Sequence, residues 1–292
     1  PSITVNNVCG SGLLSVIEGV KSILLNESDC ILVGGVESMS NSPHLCHVRN
    51  KKYGTLDFVD SMQIDGLKDY FTNKTMTELS EELCLKQNIT REEYDDYAIK
   101  MYKRSRKSVE KNLFKKEIVP IRINNEIIYN DEEINKVEDL NKIYKLNPIY
   151  KNGISTAGNI SKLSDGVAFM ILVSESFVNK HNIKPLAEVL DYDLAICNPE
   201  EAPICVTKSI KNLIKYNIDI YEINDAFPLC TINSHKELNI PYDKINLYGS
   251  SISLGHPLGC SGLRILCTLL TVLQNENKNI GCASIANGGG GA

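Results

Sequence analysis
No C-x-x-C pair occurs among the ten cysteines of this sequence, and their spacing is irregular. Neither a zinc framework nor a disulfide framework is readable from such a pattern. Positive charge is not in excess: 31 Lys and Arg face 36 Asp and Glu, a net charge of −5. That balance argues against nucleic acid or an anionic membrane as the main partner. It leaves room for an anionic small molecule held by local basic residues. No apolar run reads as long enough to span a membrane, and no secretory signal is visible. With no zinc or disulfide framework, most of the cysteines read as small buried hydrophobes in a reducing compartment. The cytoplasm is the expected location, with mitochondrion or peroxisome as alternatives.

What is present suffices for a full core: 292 residues, 42% of them hydrophobic, enough for one large domain or two ordinary ones. The opening PSITVNNVC reads as the end of an element, and GGGGA is an equally abrupt close. A piece lacking an N-terminal part and the extreme C-terminus is the expectation.

Three stretches differ in character. In residues 1–38, ITV reads as a short strand, SGLLSVIEGVKSILLN as a buried helix and CILVGG as a buried strand. This βαβ order favours an α/β fold with a parallel or mixed sheet. Residues 39–163 are more polar. TELSEELCLKQ and REEYDDYAIKMYKRSRKSVEKN read there as amphipathic surface helices, the second capped by Thr90 with Glu93 three residues on. From residue 164 the first style returns: GVAFMILVS, YEIND, INLYG and IGCASIA read as strands, and LRILCTLLTVLQ as a helix.

Four positions carry candidate chemistry. Cys9 sits between a strand signal and the helix beginning near Ser11, the layout of a nucleophile elbow. A helix N-terminus there would lower the thiol pKa and raise the thiolate fraction. An ordinary buried cysteine in a glycine turn has the same pattern. His256, fixed between Gly255 and Pro257, could serve as general base or donate to a thioester oxygen, or it could simply cap a carbonyl. Asn224, beside Asp225 at a strand mouth, could orient a water or merely form a turn. Gly288 opens a four-glycine run whose N–H groups could face an oxyanion. The apolar IGCASIA before that run argues against a loose linker.

Together these blocks resemble the thiolase family. VNNVCGSGLLSV followed by VGGVESMSNSPH is similar to the segment around its acylated cysteine. EINDAF resembles N-E-A-F, GSSISLGHPLGCSG resembles G-H-P-x-G-x-[ST]-G, and ANGGGGA falls where the family has C-x-G-G-G-x-G. STAGNISKLSDGVA is similar to the stretch lining the coenzyme A site. The blocks keep the family's order, with the centre of the insertion weakest.

The resemblance implies a layered αβαβα fold of two similar mixed-sheet domains with a loop-domain insertion. Residues 1–38 and 164–184 would be the remainder of the N-terminal domain, 39–163 the loop domain and 185–292 the C-terminal domain. It further implies that Cys9 takes the acyl group, that His256 activates it and that Asn224 anchors a water. The N–H groups of Cys9 and Gly288 would form an oxyanion site. Ser161, Met76, Leu67 and Phe227 would lie along the pantetheine arm of coenzyme A. Acetyl-CoA, acetoacetyl-CoA and CoA would be substrates, with no separate cofactor or metal. HLCHVRNKKYGTLDF resembles the arm used for tetramer assembly, so a dimer or tetramer is expected. SMSNSPH with DGLKDYF resembles the short-chain acetoacetyl-CoA enzymes.

One departure bears on chemistry. The family's second cysteine aligns with Ala286, which can neither take nor return a proton. Cys282 lies four residues earlier, on the same strand face but about 13 Å away at ~3.3 Å per residue. Cys230 and Cys260 are the other candidates. Thr75 stands where many relatives carry histidine, and Asp225 replaces glutamate. The leading expectation is acetyl-CoA condensation or the reverse thiolysis through acyl-Cys9. The alternatives are an impaired CoA-binding or assembly protein, and a decarboxylating Cys-His-Asn condensing enzyme.

Overall fold
The computed structural model describes residues 1–50 and 52–292. Its N-terminal part comprises α1 (Ser11–Leu24) and β1 (Cys30–Ser38), followed by the short strands β2 (His44–Cys46) and β3 (Phe58–Asp60). Next come α2 (Met76–Lys86), α3 (Arg91–Glu110), β4 (Ile121–Ile123), β5 (Glu126–Ile128) and α4 (Glu133–Lys136). The remainder is β6 (Asp165–Val173), α5 (Glu175–His181), α6 (Cys205–Leu213), β7 (Ile220–Ile223), α7 (Pro228–Leu238), α8 (Ser251–Leu254), α9 (Leu258–Asn275) and β8 (Gly281–Ser284).

The expected α/β class holds, with both strand senses. β1 pairs antiparallel with β6, Cys30 opposite Val173 and Ser38 opposite Asp165. β7 pairs parallel with β8, Ile220 opposite Gly281. α9 packs against both sheets and α1 against β1–β6 and α9, while α6 lies against β8 with α7 beside it. Alternation along β1 and β6 turns Val33 and Leu172 onto α1 and α9. It turns Leu32, Val36, Val167, Phe169 and Ile171 outward, where they are exposed.

Three expectations fail. ITV forms no strand, because no partner strand lies beside it among the described residues; Ile3 is 87% exposed. INLYG makes only one bridge, Tyr221 with Ile245, because Asn246 turns left-handed at φ +48°. α9 begins at Leu258 rather than after Gly262. By length and composition α9 could also cross a membrane, contrary to the sequence reading. Here it is the central core helix, with Leu263, Ile265 and Val272 buried.

The insertion is less superficial than its polarity suggests. α3 carries Thr90 as its cap, Oγ1 accepting from the Glu93 N–H at 3.2 Å. One face of α3 buries Tyr94, Tyr97, Met101 and Tyr102 in the main core with α6, α7 and β7. α2 has a full capping box at Thr75 and Glu78. The segment likened to an assembly arm folds back as the β2–β3 hairpin, His44 opposite Asp60; Lys51 within it lies outside the described residues.

What positions the site is the crossing of α1 and α9. A Cβ on Gly12 would lie 2.6 Å from the Leu263 nitrogen, and one on Gly262 would lie 2.6 Å from the Leu13 nitrogen. Only two glycines allow backbones so close. Cys9 stands just before α1 and His256 just before α9, so this crossing brings the two N-terminal ends together.

Candidate active site
Cys9 occupies a single helical turn, Val8–Gly10, ahead of α1. Val8 has φ +49°. A β-branched residue pays for that conformation, a strain typical of functional turns. Ser11 holds the turn, its Oγ donating to Val8 O at 2.7 Å and accepting from the Asn7 N–H at 2.8 Å.

The thiol does not behave as the helix N-terminus suggested. Burial pushes the Cys9 pKa up to about 12, aided by Glu37, although the N–H groups of Cys9 and Gly288 favour the thiolate. Desolvation outweighs two backbone donors. At neutral pH Cys9 is therefore a thiol that must lose its proton during attack.

Gly288 is held firmly. Asn287 N–H donates to Gly291 O at 2.9 Å, Cys197 N–H donates to Gly290 O at 2.7 Å, and Ala195 and Ala292 exchange two backbone bonds of 3.0 and 3.1 Å.

His256 is 4% exposed. Its N–H donates to Lys162 O at 3.0 Å, tying it to the segment that holds Ser161. Its Nδ1 lies 2.6 Å from Ser261 Oγ, and that hydroxyl donates to Pro257 O at 2.8 Å. The hydroxyl proton is thus committed, so Nδ1 carries the hydrogen and Nε2 keeps its lone pair. Burial, with Arg264 adding repulsion, lowers the His256 pKa to about 3. The imidazole is neutral and its free nitrogen is a base.

Asn224 faces that nitrogen, Nδ2 at 3.5 Å from Nε2. Its orientation is fixed from behind. Arg264 donates to Ser251 Oγ at 2.8 Å, and Ser251 donates to Asn224 Oδ1 at 2.5 Å. The order Arg264, Ser251, Asn224, His256, Ser261 runs one way through five buried or half-buried side chains. Sequence reasoning missed Arg264, Ser251 and Ser261. The last two stand in the histidine block, and Arg264 lies one turn past Ser261.

No hydrogen bond joins Cys9 Sγ to His256 among the described residues; the two sides meet through the α1–α9 crossing. Phe227 belongs to the main buried cluster, and Met76, Ala226 and Ala286 pack against it. Ser161 N–H donates to Ala226 O at 3.0 Å. Leu67 follows Gly66, whose backbone lies against Val8, Leu258 and Gly288. Cys230 and Cys282 are buried and pushed up to about 12, and Cys260 is buried against Gly166 and pushed to about 11. Asp225 does not face the site; it accepts from Tyr97 Oη at 2.7 Å.

Behind the relay, Glu222 is 1% exposed and its Oε1 has no partner. Burial raises its pKa from 4.5 to about 8, against the pull of Arg264. Between those values the folded state holds more protons than the unfolded state, so this group's contribution to stability is lost as pH rises. Replacing Glu222 by glutamine is expected to stabilise the fold by about 4 kcal/mol at pH 8 and little at pH 4.5. Thermal unfolding at both pH values checks this; equal shifts at the two would contradict it.

Similarity to known proteins runs along nearly the whole chain. Residues 1–176 match the family model "Thiolase, N-terminal domain" and residues 183–292 match "Thiolase, C-terminal domain". The chain is 38% identical to acetyl-CoA acetyltransferase IA of Candida tropicalis, over 99% of this chain and 75% of that protein. It is 40% identical to a cytosolic acetyl-CoA acetyltransferase of Gibberella zeae, over 99% of this chain and 76% of that protein. The fold is similar to human mitochondrial 3-ketoacyl-CoA thiolase solved in complex with CoA. The TM-score is 0.95 at 33% identity, covering 100% of this chain and 76% of that one. Acat5 thiolase from Ascaris suum, also solved with coenzyme A, gives a TM-score of 0.93 at 32% identity, covering 99% and 77%.

Proposed function
The chain belongs to the thiolase family, and from that premise we propose that it is an acetyl-CoA acetyltransferase. It joins two acetyl-CoA molecules to acetoacetyl-CoA, or splits that product with CoA, through an acyl-enzyme on Cys9. The observation that carries this reading is that two backbone N–H groups, of Cys9 and Gly288, favour the charged form of the Cys9 sulfur. The same pair would hold the oxyanion formed when the acyl group arrives there.

Acylation begins with Cys9 attacking the thioester carbonyl. Its proton passes to His256 Nε2 as the bond forms, because neither a standing thiolate nor a standing imidazolium is present at neutral pH. The imidazolium returns that proton to the departing CoA sulfur. Asn224, locked by Ser251, presents its amide beside Nε2 for a water or a thioester oxygen. The second acyl-CoA must lose an α-proton, and residue 286 offers no acceptor. The unprotonated His256 nitrogen is the base this site supplies.

Ser161, Met76, Leu67 and Phe227 belong to the proposal as the pantetheine wall. Residues 1–38 with 164–184, 39–163 and 185–292 are its domain division, supported by the change of family match between residues 176 and 183. Self-association as dimer or tetramer is also part of it, supported by the exposed Leu45, Val48 and Phe58 in and beside the β2–β3 hairpin. So is a reducing, cytoplasmic setting, supported by ten free cysteines. Ala286 alone favours an impaired CoA-binding protein, and the relatives give that reading no support.

Acetoacetyl-CoA with CoA, given to the protein and to Ala286→Cys, is the test. Turnover by the unmodified chain is expected. The variant is expected to speed thiolysis about 10²-fold, the lower end of what a placed proton donor or acceptor contributes, while acyl exchange between Cys9 and CoA is unchanged. No acyl-Cys9 in either protein would refute the assignment.

A further inference from the structure
We propose that Cys197 and Cys205 form a reversible disulfide site that controls the glycine loop carrying Gly288. Their sulfurs lie 2.9 Å apart, less than an ångström longer than a disulfide bond of about 2.05 Å. Cys197 is half-exposed, and Cys205 is fully buried at the start of α6. One thiol therefore meets solvent and the other waits behind it. Lys208, one turn along α6, donates from Nζ to Ile196 O at 2.6 Å, placing a positive charge beside the pair.

The pair is joined to the active-site loop directly. Cys197 N–H donates to Gly290 O at 2.7 Å, and Cys205 Sγ lies 3.6 Å from the same oxygen. Ile196 bridges Gly291, and Ala195 pairs with Ala292. Gly290 has φ +87°, and a Cβ on it would lie 2.6 Å from Cys197 O, so the two backbones are in contact. Residues 195–197 and the loop are joined as one ribbon. Nothing in the acyl-transfer chemistry uses either thiol.

The reaction needs a low-molecular-weight disulfide as oxidant. The Cys197 thiolate attacks one of its sulfurs and expels a thiolate, which takes up the proton Cys197 lost. Cys205 then gives up its proton and attacks the mixed disulfide at Cys197 Sγ, expelling the second thiol. Two protein thiols are oxidised, one external disulfide becomes two thiols, and a dithiol reverses the exchange. Closing the gap draws Cys197, and Gly290 with it, toward α6. Gly288, two residues away, then moves its N–H off the Cys9 sulfur. A displacement approaching 1 Å at a catalytic donor costs up to about 10²-fold. This effect on rate rests on the role proposed for Gly288.

The full chain is equilibrated with oxidised glutathione, and free thiols are alkylated. Cleavage after Glu200 or Glu201 then separates the two cysteines unless they are linked. The expected result is a linked Cys197–Cys205 peptide with acetylation of Cys9 slowed 10- to 100-fold. Dithiothreitol restores the rate, and Cys197→Ser, at a half-exposed position, abolishes both effects. Absence of the linked peptide overturns the site. A linked peptide with an unchanged rate overturns the control of the loop. Equal inactivation of Cys197→Ser overturns it too, because the oxidation then lies at Cys9. If the reduced protein never acylates Cys9, the proposed function fails while the peptide map still decides the disulfide.

Discussion
Replacing Cys9 by alanine is expected to lower acetoacetyl-CoA thiolysis by about 10⁴-fold or more, the range seen when a nucleophile acting as part of a unit is removed. The loss follows from geometry. Cys9, whose charged form is favoured by its own N–H and that of Gly288, is partly exposed just before α1, whereas Cys230, Cys260 and Cys282 are buried. Intact-mass measurement after acetyl-CoA should show an acetyl adduct on the unmodified chain and none on Cys9→Ala. CoA binding should survive the change, because the sulfur is not part of the pantetheine wall. An adduct of equal yield on the variant would place the nucleophile elsewhere.

Replacing His256 by alanine is expected to slow acylation about 10²–10⁴-fold, the usual contribution of a placed base. The pH dependence separates this role from a structural one. With a folded pKa near 3 the imidazole stays neutral across the physiological range, so its titration should leave the acylation rate flat between about pH 5 and 8. Stability should behave differently. Between pH 6.5 and 3 the unfolded chain binds a proton that the folded chain refuses. Stability therefore falls as pH drops through that window, by about 3 kcal/mol from pH 6.5 to 4. His256→Ala should lose that acid sensitivity. A variant that unfolds in acid as steeply as the parent would mean the histidine is not held neutral by burial.

Legibility differed by element, for physical reasons. α2 and α3 could be read because a threonine cap followed by amphipathic spacing is local information. β1, β6, β7 and β8 could be read because continuous apolar runs bounded by turn residues have few other uses. ITV and INLYG carried the same signal and are not strands, because a strand also needs a neighbour, and pairing is non-local. The tilt of Cys9 toward a thiolate was likewise a local inference from a helix start. Enclosure of the sulfur reversed it.

Cys9, Asn224, His256 and Gly288 could be found from sequence because each sits in a short block whose glycines, proline or strand edge give it a fixed backbone. Sequence also sufficed for the α/β class and the family, since motif order along the chain is one-dimensional information. Three-dimensional packing decided the rest. Gly12 against Gly262 sets how closely two helix ends approach, Ser251 and Arg264 fix which way an amide points, and burial selects the proton state of a thiol and an imidazole. Those properties depend on what surrounds an atom, and residues distant in the chain supply those surroundings.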